Sequence, residues 1–420
     1  MAKPKLALIP ATQGSKLYSV LPADGVGDFT FSRGSAATRI NKDGLIETVA
    51  SGVSRLNYPL IDGVVNGCPS HLLEPSRTNK LSTSNDFNGS GWVVSDITAT
   101  ANQVVSPDGT LNASKLEMTG NGSLRNLSEV SFNDGYAYSI FIKKGNSRYV
   151  TIRSAFFTQS IVVGFDLDTL TAQTNGKIED YGNDWYRLSI TKDISGDADR
   201  SGFFYLYLPD SLGSQTSVSG NYAYFYGGQI EDGNYPTSYI PTNGSAVTRS
   251  AETANGAGDS TTFGSEGVLF AEISALVDDG TLRSIAITDG TVNNIIVIRY
   301  NNYVGNSSID GIYVNNNVLT TAAILYPNIT DFTKIALSYQ QGALKLYVNG
   351  VLEINVALVV NDAINWNTLQ FDIGNGTQDF YGNVRQVQSF NEVLTDADLE
   401  TLTSWTSFTD MANGQLYSIK

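Results

Sequence analysis

Residues 334–353 read KIALSYQQGALKLYVNGVLE, and this stretch decides the fold class of the chain. Leu344 and Leu346 occupy alternate positions, so their side chains share one face of a predicted strand. Asn349-Gly350 follows this strand and supplies the two positive φ angles of a type I′ hairpin turn. Because Gln341-Gly342 forms another turn before the same strand, the stretch predicts a three-stranded antiparallel meander.

Short alternating runs of the same kind recur along most of the chain, bounded by Gly, Asn, Asp and Ser. Clear examples are Tyr136 to Lys143, Trp185 to Ile190 and Phe203 to Leu208. Helix signals are scarce, and the best is Leu394 to Leu402, where Thr395 can cap the first turn. The pattern therefore predicts an all-β chain with one short helix.

Composition and strand spacing divide the chain into five parts. We predict an irregular N-terminal segment punctuated by Gly and Pro (1–80), a β-sandwich (81–245), a Gly-rich linker (246–265), a second β-sandwich (266–402) and a C-terminal tail (403–420). Strands at this spacing favour antiparallel sandwiches over parallel α/β sheets. The predicted fold is two antiparallel β-sandwich domains after an irregular N-terminal segment.

Charge and composition exclude several classes of protein. The chain has 26 Lys plus Arg against 41 Asp plus Glu, and its net charge of -15 disfavours binding to nucleic acid. The single Cys68 and the single His71 exclude an intrachain disulfide framework, a thiolate zinc site and a multi-histidine metal centre. No apolar run is long enough for a signal peptide or a membrane span. We therefore expect synthesis in a cytoplasm and no membrane insertion.

Sequence motifs for catalysis are missing as well. Glucanases built on concanavalin-like sandwiches commonly carry Glu-x-Asp-x-x-Glu on one strand, and no such string occurs here. Asp166 and Asp168 alternate but lack a third acid, and no Gly-x-Ser-x-Gly elbow accompanies His71. We therefore predict a protein that is not an enzyme, with no catalytic residues, no cofactor and no metal site. Two possibilities stay open. Carboxylates from distant strands could form a catalytic site, and Asp278-Asp279-Gly280 or Asp289-Gly290 could supply oxygen ligands to calcium.

The candidate carbohydrate-binding residues are Tyr300, Asn301, Asn302 and Tyr303, at the predicted end of a strand. Tyrosine rings can stack on the apolar faces of sugars, and amides can bond sugar hydroxyls. In the alternative interpretation, Tyr300 ends a strand in the core and the asparagines shape a turn.

Four strings follow one another in the first part of the chain. They are FSRGSAATRINKDGLIE (Phe31 to Glu47), CPSHLLEPSRTN (Cys68 to Asn79), SPDGT (Ser106 to Thr110) and GGQIEDGNYPTSYIPT (Gly227 to Thr242). As a series they resemble tailed-bacteriophage virion proteins of the tail-fibre, head-fibre or spike type. The second half, through residues 334–353 and FYGNVRQVQSFNEVL (Phe380 to Leu394), resembles laminin-G or concanavalin-A-like lectin domains.

The resemblance implies two jelly-roll-like sandwiches, the first similar to carbohydrate-binding modules, after an N-terminal segment that attaches to the virion. It implies a homotrimer on the surface of a phage particle, with other phage virion proteins and host surface polysaccharide as partners. The expected function is that of a fibre-type virion structural protein that displays lectin-like domains for adsorption to host glycans. Two alternatives stay open: a capsid-decorating or adaptor protein that mainly binds other virion proteins, and a glycan depolymerase.

Overall fold

The structure is a computed structural model that describes residues 2–13, 16–88, 91–156, 160–303, 305–360, 365–406 and 408–415. Within these residues the secondary structure is almost entirely antiparallel β, with short helices only near the C-terminus. The predicted all-β class is confirmed. Neither helix in this part of the chain is long and apolar enough to cross a membrane.

The predicted irregular segment, residues 1–80, carries a series of short strands. Their bounds are β1 (Leu6–Gln13), β2 (Lys16–Leu21), β3 (Phe29–Ser32), β4 (Ala37–Ile40), β5 (Ile46–Val49), β6 (Arg55–Asn57), β7 (Leu60–Ile61), β8 (Val64–Val65), β9 (Ser70–Leu73) and β10 (Arg77–Asn79). The alternation in β3 is typical, because Phe29 and Phe31 are buried whereas Thr30 and Ser32 are exposed. This part of the chain is therefore ordered β-structure rather than irregular chain.

The predicted first sandwich is formed by one continuous antiparallel sheet. Its strands are β11 (Trp92–Val105), β12 (Leu111–Asn126), β13 (Val130–Ser131), β14 (Gly135–Lys144), β15 (Tyr149–Phe156), β16 (Ile161–Asp166), β17 (Thr171–Ala172), β18 (Gly176–Asp180), β19 (Trp185–Asp193), β20 (Ser201–Tyr207) and β21 (Tyr222–Asp232). Side chains of β14 and β19 share one core with those of β15 and β20, so the sheet folds into two layers. The long strand β12 joins the layers, because residues 114–117 pair with β21 and residues 124–125 pair with β20.

The second sandwich follows. Its strands and those leading to it are β22 (Val247–Arg249), β23 (Thr253–Asn255), β24 (Gly267–Ala275), β25 (Arg283–Thr288), β26 (Ile295–Tyr303), β27 (Asn306–Asn315), β28 (Val318–Leu325), β29 (Thr333–Gln340), β30 (Ala343–Val348), β31 (Val351–Val356), β32 (Thr368–Gln370) and β33 (Gly382–Phe390). The sheet β28-β27-β26-β25-β32 packs on a larger sheet that contains β33-β24-β29-β30-β31. The predicted meander is β29 to β31, and Asn349 and Gly350 both have positive φ, 48° and 89°.

The N-terminal strands belong to this second sandwich. β1 and β9 pair with different parts of β33, β2 and β3 extend the same sheet from β1, and β23 pairs with β3. Leu6, Leu8 and Phe29 are fully buried in the core of that sandwich. The expected irregular segment and the expected free linker thus both contribute strands, whereas attachment of residues 1–80 to a virion stays a prediction. Pairing on β33 satisfies backbone groups that would otherwise form an open edge.

Two helices close the chain, α1 (Asp396–Ser404) and α2 (Phe408–Gly414). The first is the predicted helix, and the hydroxyl of Thr395 accepts from the backbone nitrogen of Asp398 at 3.1 Å, as an N-cap does. The second lies in the predicted tail, where Met411 is fully buried and Gln415 donates to Gln388 of β33 at 2.8 Å. The tail therefore packs on the sheet; its last residues, 416–420, lie outside the described residues.

Candidate functional site

The four residues predicted to bind carbohydrate lie at the end of β26, but they do not share one environment. Tyr300 is fully buried, its hydroxyl donates to the carbonyl of Ile273 at 3.0 Å, and burial raises its pKa. Asn301 donates to the carboxylate of Asp310 at 2.7 Å, and Arg299 donates to the same oxygen at 2.7 Å. Tyr300 is thus a core residue, as the alternative interpretation held.

Asn302 and Tyr303 are accessible from solvent. The side-chain oxygen of Asn302 accepts from the backbone nitrogen of Gly305 at 2.8 Å, and Asn302 lines an open hollow of about 470 Å³ beside Asp278 and Asp279. The side chain of Tyr303 points away from the sandwich and is 65% exposed. Contact between these two residues and a sugar stays a prediction.

The carboxylates that the sequence singled out have partners within the chain. Asp279 accepts from Arg283 at 2.7 Å, and Asp166 accepts from Arg148 at 2.7 Å. The bonds from Arg148 hold the pKa of Asp166 well below its usual range. In the part of the chain that the structure describes, no group of three or more His, Cys, Asp or Glu side chains is placed to hold a metal ion.

A different surface lies on the outer face of β20. Phe204 and Leu206 are each 1% exposed and belong to the core of the first sandwich. Because successive side chains of a strand point to opposite faces, Phe203, Tyr205 and Tyr207 project outward. The first two are half-buried, and the third is 9% exposed. Three aromatic side chains therefore stand in line on one outer strand face.

Two arginines flank the middle ring of this line. β20 lies between β12 and β15, and Arg125 of β12 and Arg153 of β15 are both registered directly opposite Tyr205. Directly opposite residues of antiparallel strands share a face, so a row of arginine, tyrosine and arginine crosses the sheet. We call Arg125, Arg153, Phe203, Tyr205 and Tyr207 the aromatic platform.

Contacts between rings and guanidinium groups hold the aromatic platform together. The guanidinium carbon of Arg125 lies 4.3 Å from the ring centroid of Phe203 and 5.8 Å from that of Tyr205. The guanidinium carbon of Arg153 lies 5.7 Å from the Tyr205 centroid. The rings of Tyr205 and Tyr207 are nearly parallel, with 11° between their planes and 6.3 Å between their centroids. Burial raises the pKa of Tyr207, and the nearby charge of Arg153 opposes this shift.

An open hollow of about 630 Å³ adjoins the aromatic platform and is lined by Arg153 and Phe203 together with Glu129, Asp199 and Ser201. The hydroxyls of Ser201 and Ser131 lie 2.7 Å apart beside it. Ring faces therefore adjoin charged groups and hydroxyls here. This combination can stack on the apolar face of a sugar and bond its hydroxyls.

Sequence reasoning found the strand but missed the surface. The run from Phe203 to Leu208 is apolar or aromatic at every position, so both faces of the strand carry large side chains. In a two-layer sandwich only one face of a strand meets the core, so large side chains at every position predict that one aromatic face of this strand points outward. Arg125 and Arg153 gave no signal, because strand pairing alone brings them to Tyr205.

Distant segments of the chain meet at a third place, between the two sandwiches, and two of the strings that carry the resemblance contribute Arg33 and Glu74 to it. Arg33 pairs with Glu252 at 2.7 Å, and Arg55 pairs both with Glu252 and, at 2.8 Å, with Glu74. Arg249 pairs with Glu74 at 2.9 Å. We call these five side chains, each at most 2% exposed, the ion cluster. They join segments that are far apart in the sequence.

Electrostatic pairing keeps the Glu74 carboxylate ionised. Burial opposes ionisation of Glu74, but the charges of Arg249 and Arg55 lower its pKa to about 2. Glu74 also accepts from the backbone nitrogen and the hydroxyl of Ser238, at 2.8 and 2.6 Å. His71 lies next to the cluster, and burial, together with the charges of Arg55 and Arg33, lowers its pKa to about 3.

A polar groove of about 470 Å³ runs along the ion cluster, lined by Glu74, Lys177, Glu179, Tyr235 and Arg187, among others. Arg187 is 3% exposed, donates to the hydroxyl of Ser139 at 2.9 Å and lies 5.4 Å from the ring centroid of Phe141. Lys177 pairs with Glu179 at 2.8 Å. Since its charged groups already bind one another or nearby groups, we interpret the groove as part of the junction and the aromatic platform as the candidate site.

Comparison with known proteins finds solved structures with a similar fold. No protein-family model and no curated protein matches the sequence. The CBM40 of the Ruminococcus gnavus IT-sialidase is 15% identical over 33% of this chain and 82% of its own, with a TM-score of 0.28. Domain 4 of AbnA, an arabinanase from Geobacillus stearothermophilus, is 12% identical over 41% of this chain and 83% of its own, with a TM-score of 0.30. Domains LG4-5 of the mouse laminin alpha1 chain are 10% identical over 79% of this chain and 96% of theirs, with a TM-score of 0.24. The similar structures are carbohydrate-binding and laminin-G-like domains, and at these scores they carry no argument about a ligand.

Proposed function

We propose that this chain is a non-enzymatic structural protein of a tailed-bacteriophage virion, of the fibre type, that displays its β-sandwiches for adsorption to host surface glycans. The observation that carries the glycan-binding part is the aromatic platform, where Phe203, Tyr205 and Tyr207 project in line from one outer strand face. The ordered series of strings that resembles virion proteins supports the particle assignment.

The aromatic platform suits a sugar ligand for physical reasons. Tyrosine offers a large apolar ring and a polar tip at a small cost in conformational entropy, which favours it at binding surfaces. The rings stand on β20, which has strands paired on both sides, so the surface is formed before a ligand arrives. Such preorganisation raises affinity because little freedom is lost on binding.

The rest of the chain suits a display role on a particle. Two β-sandwiches are joined by a buried ion cluster rather than by a free linker, which favours a stiff display unit. The proposal includes a position on the virion surface, assembly as a homotrimer, and contacts with other phage virion proteins and with host surface polysaccharide.

Adsorption tests this proposal directly. The purified chain should bind host cells and extracted host polysaccharide, and Tyr205→Ala should weaken that binding about tenfold or more, a loss near 1.4 kcal/mol. Tyr18→Ala is the matched control, because Tyr18 is an accessible tyrosine, 36% exposed, on β2 of the other sandwich. Tyr303→Ala tests the residues predicted from sequence. Equal binding by wild type and Tyr205→Ala would remove the aromatic platform from the proposal.

A structural adaptor is the second candidate function, and a specific observation favours it. β28 and β31 end the two sheets of the second sandwich and lie against each other. Apolar side chains on both are exposed, among them Leu319 at 62%, Leu325 at 61% and Val351 at 54%. Exposed apolar patches of this kind are typical of protein contacts. Electron microscopy of the particle that finds the aromatic platform covered by another virion protein would favour the adaptor over the glycan receptor.

The absence of enzymatic activity is also part of the proposal, with glycan depolymerisation as the alternative. Incubation of the chain with host polysaccharide should release no new reducing ends. Their release at a rate that scales with protein concentration would support a depolymerase built from carboxylates of distant strands.

A further inference from the structure

We propose that the aromatic platform selects glycans that carry carboxylate groups, with Arg125 and Arg153 as its two anion contacts. This inference rests on the proposed glycan-binding function and names the ligand class of the same surface.

In the part of the chain that the structure describes, the two arginines differ from most others because no acidic side chain pairs with them. The chain has 41 Asp plus Glu against 26 Lys plus Arg, and most of its arginines pair with a carboxylate. Among the residues that the structure describes, no ion pair involves Arg125 or Arg153. Arg125 donates to the carbonyl of Asn126 at 3.1 Å, and the guanidinium carbon of Arg153 lies 5.7 Å from the ring centroid of Tyr205. Within the described residues, both guanidinium groups therefore lack an ion-pair partner and remain able to bind an anion, although the chain as a whole is acidic.

Geometry prepares both groups for a carboxylate. A guanidinium group is planar and offers a fork of N–H donors that matches the two oxygens of a carboxylate. Contact with the rings of Phe203 and Tyr205 restricts the motion of Arg125, and contact with the Tyr205 ring restricts that of Arg153. Less freedom is then lost when an anion binds.

The spacing of the two arginines favours a polymer over a single small anion. Each is registered opposite Tyr205 from a different neighbouring strand, so their backbones are two strand spacings apart, about 10 Å. Both guanidinium groups reach the Tyr205 ring, each from a strand on a different side of β20, so a ligand with several carboxylates can place one at each. A glycan chain with repeated acidic sugars can meet both while one sugar face stacks on the Tyr205 ring.

Acidic side chains nearby limit where the anionic groups of the ligand can lie. Glu129 and Asp199 line the hollow next to Arg153 and would repel a carboxylate placed there. We therefore place the ligand carboxylates over the row that crosses the sheet at Tyr205. Neutral hydroxyls of the same glycan can bond the acidic side chains in the hollow.

Salt titration alone would not test this inference. The net charge of -15 repels an acidic polymer at long range, whereas the two arginines attract it locally. Added salt screens both effects within a Debye length of about 10 Å at 0.1 M. The experiment should therefore vary the charge of the ligand while the salt concentration and the sugar backbone stay constant.

The experiment compares polygalacturonate with its fully methyl-esterified form, which has the same backbone but no free carboxylates. Titration of the full chain at 0.1 M salt should give binding to the acidic form at least about tenfold tighter than to the ester, as charge-assisted hydrogen bonds predict. Arg125→Gln and Arg153→Gln should each reduce that preference several-fold, and the double variant should remove it. Tyr205→Ala should weaken binding to both forms.

Control variants separate this role from a loss of folding. Arg385 of the second sandwich also lies over a ring, 3.7 Å from the centroid of Phe332, but it pairs with Glu272, so Arg385→Gln removes a ring-stacked arginine away from the platform and should leave the preference intact. Arg153→Lys keeps the charge and should retain part of the preference with an unchanged melting temperature. Equal binding to both polymers, or binding to neither, would overturn the inference. Binding to host cells that persists in the Arg125→Gln, Arg153→Gln double variant but is lost in Tyr205→Ala would overturn it while sparing the proposed function.

Discussion

His71 is the only histidine in the chain, and its position makes the stability of the fold depend on pH. It is fully buried, its ring lies 5.7 Å from that of Phe31, and neither ring nitrogen has a hydrogen-bond partner among the described residues. Burial and the nearby charges of Arg55 and Arg33 lower its pKa to about 3. The neutral form is therefore strongly favoured in the folded chain.

The free energy of unfolding should accordingly decrease as pH is lowered from about 6.5 toward 3, the range between the unfolded and folded pKa values of His71. The unfolded chain takes up a proton near pH 6.5, whereas the folded chain takes it up only near pH 3, so the contribution is complete above pH 6.5 and is lost as pH falls toward 3. Between pH 7 and pH 5 the free energy of unfolding should drop by about 2 kcal/mol from this residue alone. Urea unfolding at the two pH values measures the drop.

His71→Leu is the comparison for that measurement, since it removes the titrating group and keeps an apolar side chain. Its stability should depend much less on pH between 7 and 5, whatever its absolute value. Glu74, with a folded pKa of about 2, contributes to acid unfolding only below its unfolded value of 4.5 and lies outside this window. A slope as steep in His71→Leu as in wild type would contradict the assignment.

At the scale of elements, the hairpin turn between β30 and β31 requires a residue that tolerates a positive φ at position 350. Gly350 has φ of 89°, where side chains are disfavoured, and a Cβ built on it would lie 3.1 Å from the Cβ of Ser404. Gly350→Val should lower the free energy of unfolding by about 2 kcal/mol, because a β-branched residue is strained at positive φ. Thermal unfolding followed by circular dichroism measures this.

Gly196→Val is the control for the hairpin, because Gly196 has no positive φ and nothing lies within 4 Å of a Cβ built there. Its melting temperature should stay close to that of wild type. A similar melting temperature for both variants would mean that the turn tolerates a side chain at residue 350.

Elements also show where prediction from sequence succeeded. The meander, its type I′ turn and the cap at Thr395 follow from neighbouring residues, and all three are confirmed. Tyr300 to Tyr303 was predicted as a binding unit from adjacency alone, yet the strand turns Tyr300 into the core and leaves Tyr303 outside. Local sequence sets the alternation of a strand but not which of its faces meets the core.

At the scale of the whole molecule, the ion cluster holds distant segments together. Glu252 pairs with both Arg33 and Arg55, and removal of its charge would leave two buried cations with less compensation. Glu252→Gln should lower the free energy of unfolding by about 3 to 5 kcal/mol, the usual cost of breaking a buried pair. Urea unfolding measures it. Asp43→Asn, which breaks an exposed pair with Lys42, should change stability little; equal effects would contradict the structural role of the cluster.

The place of the N-terminal strands makes another prediction at this scale. Leu8 of β1 is fully buried in the core of the second sandwich, although more than half of the chain separates Leu8 from the strands of that sandwich in the sequence. Leu8→Ala should lower the free energy of unfolding by about 2 to 5 kcal/mol through a cavity in that core. Val20→Ala, on β2 at 43% exposure, should have an effect within about 0.5 kcal/mol. Equal stability of the two variants would mean that the N-terminal strands are not part of that core.

The sequence by itself determined the all-β class, the hairpins and the closing helix, because strand alternation, turn residues and helix caps act between neighbouring residues. It also held the strings that carry the resemblance, without indicating that Arg33 and Glu74 from two of them meet in one buried cluster. Only the tertiary structure decided that β1 and β9 pair with β33, that the tail packs on the sheet, and that Arg125 and Arg153 flank Tyr205. The physical reason is that strand pairing and burial depend on which distant segments compete for the same edge or core, and no local pattern encodes that choice.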